Sequence, residues 1–180
     1  KNTKFLNLKC LSVHIGSQIL DHKPYQKMLS VLDKLIKKIN FNFEYIDLGG
    51  GMGIDYDKNN KKFNYKKYND IIKKFLKNHK TKIIFEPGRS IIGDTAILIS
   101  KIIYIKENTK KDFIIVDAAM NDFMRPALYG AKHKIIPLKK TNKMTSKSYD
   151  FVGPICETTD KFLTTNKFQK LNEKDHIIIC

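Results

Sequence analysis

The chain has 180 residues, 42% of them hydrophobic and 29% charged, which is enough apolar content to bury a core and excludes a disordered polyelectrolyte. The formal net charge of +16 rests on lysine, since Arg89 and Arg125 are the only arginines. The lysines run with Asn and Ile along the whole length, as AT-rich codon usage produces, so the charge is not read as a nucleic-acid surface despite the attraction of basic surfaces for phosphate. No apolar run approaches the roughly 20 residues of a membrane helix, and no signal peptide is visible. Cys10, Cys156 and Cys180 share no metal spacing, and the histidines form no obvious metal set, so reduced thiols, no metal and a cytoplasmic protein are expected.

In chain order, Leu11 to Ile15 is an apolar run leading into Gly16-Ser17-Gln18. From Met28 the positions Met28, Leu29, Leu32, Leu35, Ile36 and Ile39 keep the helical period. A second strand is expected over Phe43 to Leu48, leading into Gly49-Gly50-Gly51-Met52-Gly53. Tyr68, Ile71, Ile72, Phe75 and Leu76 mark a second helix, and Lys82 to Phe85 a third strand leading into Glu86-Pro87-Gly88-Arg89. Strands alternating with helices are the grammar of a parallel α/β sheet or barrel. Beyond about residue 95 the pattern changes. Ala96 to Ile105 and Asp112 to Val116 read as strands about the polar turn Lys106 to Lys111, Thr141 to Ser148 as a loop, and Phe151-Val152 and Asp175 to Cys180 as further strands, with no strong helical period. The expected division is therefore an α/β part over 1–94 and a β-rich part over 95–180. The sequence begins without Met and ends inside Ile177-Ile178-Ile179, so it is read as part of a longer protein.

Ligands of parallel α/β folds gather at the carboxyl ends of the strands, where these special sequences fall. Gly49, Gly50 and Gly51 let backbone N–H groups approach an anion, although such a run is also an ordinary turn and lacks the Rossmann or P-loop spacing. Glu86, at the end of an apolar strand, is costly to bury without a partner. A protonated pyridine nitrogen is one such partner, an ion pair with Arg89 or a lysine another. His14 suits stacking on a flat ring or a structural role, and Ser17 suits a phosphate. Arg89 and Arg125 stand out by rarity, which points to bidentate carboxylate recognition, with a buried structural pair as the alternative. Cys156 lies in a loop beside Glu157 and Asp160, as either a small buried hydrophobe or a proton donor.

The segments HIGSQI at 14–19, DLGGGMGI at 47–54, EPGRSIIG at 86–93, VDAAMNDFMRPALYGAKH at 116–133 and VGPICETTD at 152–160 together resemble the fold-type III pyridoxal 5'-phosphate (PLP)-dependent decarboxylases, most closely the diaminopimelate decarboxylase family. The resemblance implies the C-terminal part of a (β/α)8 PLP-binding barrel followed by a β-rich domain. It also implies PLP as cofactor and a small amino-acid substrate, meso-2,6-diaminopimelate, decarboxylated to L-lysine. By it His14 stacks on the cofactor ring and Ser17 binds its phosphate, with Gly49, Gly50, Gly51, Gly88 and Arg89 on the phosphate side and Glu86 at the pyridine nitrogen. Arg89, Arg125 and Tyr129 hold substrate carboxylates, Glu157 recognises the distal end, and Cys156 returns a proton to the α-carbon. A homodimer with shared active sites is implied, the Cys156 loop reaching the partner. The family's cofactor-bearing lysine falls before the given stretch, so these 180 residues alone are expected to be inactive and only partly foldable. A related decarboxylase of ornithine, lysine, arginine or carboxynorspermidine, and a non-catalytic homologue, remain the competing readings.

Overall fold

A computed structural model describes residues 4–56 and 62–180, and the chain divides into two compact units, Lys1–Thr95 and Ala96–Cys180. In the first unit the elements are β1 (Cys10–Ser12), α1 (Lys23–Ile39), β2 (Tyr45–Asp47), α2 (Tyr65–Leu76), β3 (Lys82–Ile84) and the one-turn α3 (Arg89–Ile92). The strands form a parallel sheet in the order β1-β2-β3, with Leu11, Ile46 and Ile83 in register across it. Each strand is shorter than its apolar run. Val13 and Leu48 still donate to the neighbouring strand ends, to Asp47 O and Ile84 O, but beyond them the chain bends into glycine-rich loops.

Helix α1 starts well before the first periodic leucine. Pro24, lacking an N–H, fits its first turn, and Tyr25 adds a fully buried ring to the apolar face of Met28, Leu29, Leu32 and Ile36. Asn40 ends the helix in the left-handed region, φ 47°, with its N–H on Ile36 O. Helix α2 starts at Asn64, whose Oδ1 accepts from Lys67 N at 2.9 Å, and buries Tyr68, Ile72 and Phe75 in the same core. Among the described residues no helix is long and apolar enough to cross a membrane.

The second unit is a six-stranded mixed sheet of β4 (Leu98–Lys106), β5 (Lys111–Val116), β6 (Ile135–Pro137), β7 (Ser148–Val152), β8 (Lys161–Thr165) and β9 (His176–Ile179), in the order β6-β9-β4-β5-β7-β8. Neighbours are antiparallel except β5 and β7. Ile102, Ile114, Val116, Phe151, Ile177 and Ile179 form the centre of its core. Three elements here exceed the sequence reading. Helix α4 (Arg125–Tyr129) is too short to show a period; Pro126 sits in its first turn and Gly130, φ 61°, caps it. Strand β6 ends in Pro137, which an edge strand tolerates. Strand β8 owes its identity to pairing with β7, which residues 161–165 do not encode by themselves.

Asp150, buried in β7, accepts from Lys111 Nζ at 2.8 Å and from the Thr164 hydroxyl. Burial works to raise its pKa, but the bonds from Lys111 and Thr164 outweigh it and hold the carboxyl below its usual range. Because the folded value is depressed, the resulting stability is present above the unfolded value of about 3.9 and is lost as pH falls through the folded one. Asp150→Asn is expected to cost about 1–3 kcal/mol at neutral pH, the size of a hydrogen bond to a charged group. Melting temperatures of both proteins taken between neutral and acid pH should converge on acidification. A gap that does not change with pH would contradict a role for the carboxylate charge.

Candidate active site

The three loops that leave the parallel strands are tied to one another by short polar contacts. Asp47, buried at the end of β2, accepts from Gly49 N through Oδ1 at 2.8 Å and from Ser12 Oγ through Oδ2 at 3.2 Å. The chain then turns through left-handed Gly49, φ 63°, and Gly51, φ 90°. At Gly50 a Cβ would overlap Glu86 O, and at Gly51 it would overlap Gly16 O, so glycine here lets three loop backbones approach each other. Glu86 N donates to Gly49 O at 2.8 Å, Ile19 N to Gly51 O at 2.9 Å, and Tyr25 Oη to Gly50 O at 2.9 Å. Burial pushes the Tyr25 phenol up to about 12.

On this frame His14, Ser17, Glu86 and Gly88 are exposed, and Gly50 N donates to His14 Nδ1 at 3.4 Å. The sequence leaves Glu86, if buried, to a pyridine nitrogen or to an ion pair with Arg89 or a lysine, and no ion pair of Glu86 occurs among the described residues. The carboxylate is instead exposed, because β3 ends at Ile84 and residues 85–88 run along the surface. Arg89 donates through Nη1 to Gln18 Oε1 at 3.1 Å and lies 5.9 Å from the Tyr56 ring. Neither Arg89 nor Arg125 is in an ion pair among the described residues. An exposed imidazole, hydroxyl and carboxylate, with an arginine at the ends of one sheet, fit a flat group that carries an anion at one side and a cationic ring nitrogen at the other.

The remaining candidates lie in the second unit. Arg125 opens α4 half-buried, with its guanidinium 5.8 Å from the ring of the exposed Tyr129. Its Nε donates to His133 Nε2 at 3.4 Å, while His133 Nδ1 donates to Cys180 O at 2.8 Å, which leaves Nε2 free of its proton as the acceptor. Cys156 is exposed, contrary to the buried-hydrophobe alternative, in a loop anchored by buried Asp160. That carboxylate accepts from Met120 N at 2.7 Å and Ile155 N at 2.9 Å, so it ties the loop after β5 to the loop after β7. Glu157, next to the thiol, is held below the usual carboxylate range by the Thr158 hydroxyl and then the Thr159 N–H.

Sequence reasoning missed four residues that organise these loops: Gln18, Tyr25, Asp47 and Asp160. Asp47 carried a signal, an aspartate two residues before a glycine, the pattern of an Asx-turn. Tyr25 carried none beyond its helical position.

The C-terminal sheet domain of the pyridoxal-dependent decarboxylases matches residues 20–180. The diaminopimelate decarboxylase of Aquifex aeolicus is 40% identical over 98% of the chain, and that of Helicobacter pylori 37% identical over 99%. The crystal structure of the Helicobacter pylori enzyme complexed with L-lysine superposes with a TM-score of 0.85 at 36% identity, covering 98% of this chain and 44% of that one. A lysine/ornithine decarboxylase from Vibrio vulnificus, at 19% identity and a TM-score of 0.81 over 95% of this chain and 48% of that one, shares the fold. The chain spans less than half the length of the curated relatives it matches, 43% and 45% of the two diaminopimelate decarboxylases. With residues 20–180 matched by that domain, the chain belongs to the pyridoxal-dependent decarboxylases.

Proposed function

We propose that the full-length protein carrying this chain decarboxylates meso-2,6-diaminopimelate to L-lysine and carbon dioxide with PLP as cofactor. The observation that carries this reading is the set of exposed His14, Ser17 and Glu86 beside Arg89 on one parallel sheet, in a chain 40% identical to a diaminopimelate decarboxylase. His14 would lie against the cofactor ring, and Glu86 would hold the proton of its nitrogen. Ser17, Gly49, Gly50, Gly51, Gly88 and Arg89 take the phosphate. When bound, PLP supplies the ring that accepts the electron pair left as the carboxylate departs.

The chain's own residues orient the substrate and move a proton. Arg89, Arg125 and Tyr129 bind carboxylates through charge-assisted hydrogen bonds. Glu157, its carboxyl held below the usual range by Thr158 and Thr159, receives the distal ammonium. The Cys156 thiol delivers a proton to the α-carbon. We further propose a homodimer with shared active sites, as the family resemblance implies, and a cytoplasmic location, which suits three exposed, unpaired cysteines.

The test is carbon dioxide release by the full-length protein supplied with PLP, from meso-diaminopimelate beside ornithine, lysine and arginine. Selective release from diaminopimelate is the expected result. Release from one of the others would overturn the substrate, and no release from any would overturn the activity.

A further inference from the structure

We propose that Gln18 is the positioning residue of the cofactor cradle: one neutral side chain that aims Arg89 and locks the glycine loop, without lowering the positive charge offered to the phosphate. The inference rests on the proposed binding of PLP and extends it to a residue outside the expected contact set.

Three observations meet at this residue. Its backbone is left-handed, φ 60°, a region that side chains other than glycine and asparagine rarely occupy. Glycine would adopt it without strain, so the side chain has a use that offsets the conformational cost. Every polar atom of that side chain is engaged. Oε1 accepts from Arg89 Nη1 at 3.1 Å and from Ile54 N at 3.3 Å, and Nε2 donates to Ile54 O at 2.6 Å. The amide can sit only this way round, since a flip would set its NH2 against two donors and its oxygen against a carbonyl. Finally, Gly53 has no Cβ where one would lie 2.7 Å from Gln18 Oε1, so the 49–54 loop is shaped around this amide.

The chemistry explains why the residue is an amide and not an acid. Arginine is a donor with five N–H groups and needs only an acceptor to be aimed. A carboxylate at position 18 would aim it equally well but would neutralise it and repel a phosphate dianion. The neutral amide spends one N–H and leaves the full charge and the remaining donors for the anion.

Full-length apo-protein titrated with PLP by absorbance tests this, using Gln18→Ala, Gln18→Gly and Gln18→Glu with apo-protein melting temperatures alongside. Loss of Gln18 is expected to weaken PLP binding about 10- to 100-fold, the range for partners that orient a ligand-binding group. Gln18→Gly, relieved at φ 60°, should melt above Gln18→Ala yet bind PLP as weakly, because affinity follows the side chain and stability the backbone. Gln18→Glu should bind at least as weakly as Gln18→Ala. Wild-type uptake of PLP with Gln18→Ala within about twofold, or Gln18→Glu binding as tightly as wild type, would overturn this inference alone. No uptake by the wild-type protein would overturn the cofactor assignment and this inference together.

Discussion

Replacing Cys156 by Ala is expected to lower kcat by about 10²- to 10⁴-fold, the contribution of a positioned general acid, with PLP affinity unchanged. The thiol is exposed in the loop between β7 and β8, so its removal leaves no cavity and the fold is expected to persist. The loop is held by Asp160 on Ile155 N, by Glu157 N on Ile155 O and by Asp160 N on Glu157 O, none of which involves the Cys156 side chain. What the substitution removes is therefore the proton. Cofactor absorbance, melting temperature and turnover should be measured on the same protein. A normal kcat in Cys156→Ala would assign the proton to another group, and loss of cofactor together with turnover would make the residue structural.

The second large effect is expected at Arg125. Its side chain is half-buried, set by Pro126 in the first turn of α4 and by the hydrogen bond to His133, and no carboxylate of this chain pairs with it among the described residues. A pre-aimed guanidinium without an acid partner is suited to a carboxylate from outside. Arg125→Ala is expected to raise KM for diaminopimelate about 10- to 100-fold, the cost of one charge-assisted contact of about 1.5–3 kcal/mol. Inhibition by 1,5-diaminopentane, which has both amines and no carboxylate, should change by less than about threefold, within the error of a lost neutral contact. Equal losses for the two compounds would remove carboxylate recognition from this residue and with it the argument for a dicarboxylic substrate. Arg125→Lys separates charge from geometry, since an ammonium keeps the charge but cannot make the planar double contact.

Much of the first unit could be read from residue order because its signals are local. Helical periods, apolar runs and the glycines after them are properties of neighbouring residues, and they placed α1, α2, the three parallel strands and the loops bearing His14, Gly49 and Glu86. The rarity of arginine singled out Arg89 and Arg125, and neither has an acid partner among the described residues. Elements that depend on distant partners escaped. Strands β6 and β8 are short runs recognisable only through β9 and β7, and the parallel pairing of β5 with β7 follows from a crossover that no local pattern records. The same physics divides the candidate site. Residue chemistry and chain order determined which groups are available: the imidazole, the carboxylate, the thiol and the two guanidinium groups. Only the tertiary structure decided that Glu86 is exposed and that Asp47, Tyr25 and Gln18 hold the loops, because burial and hydrogen-bond partnership arise from segments far apart in sequence meeting in space.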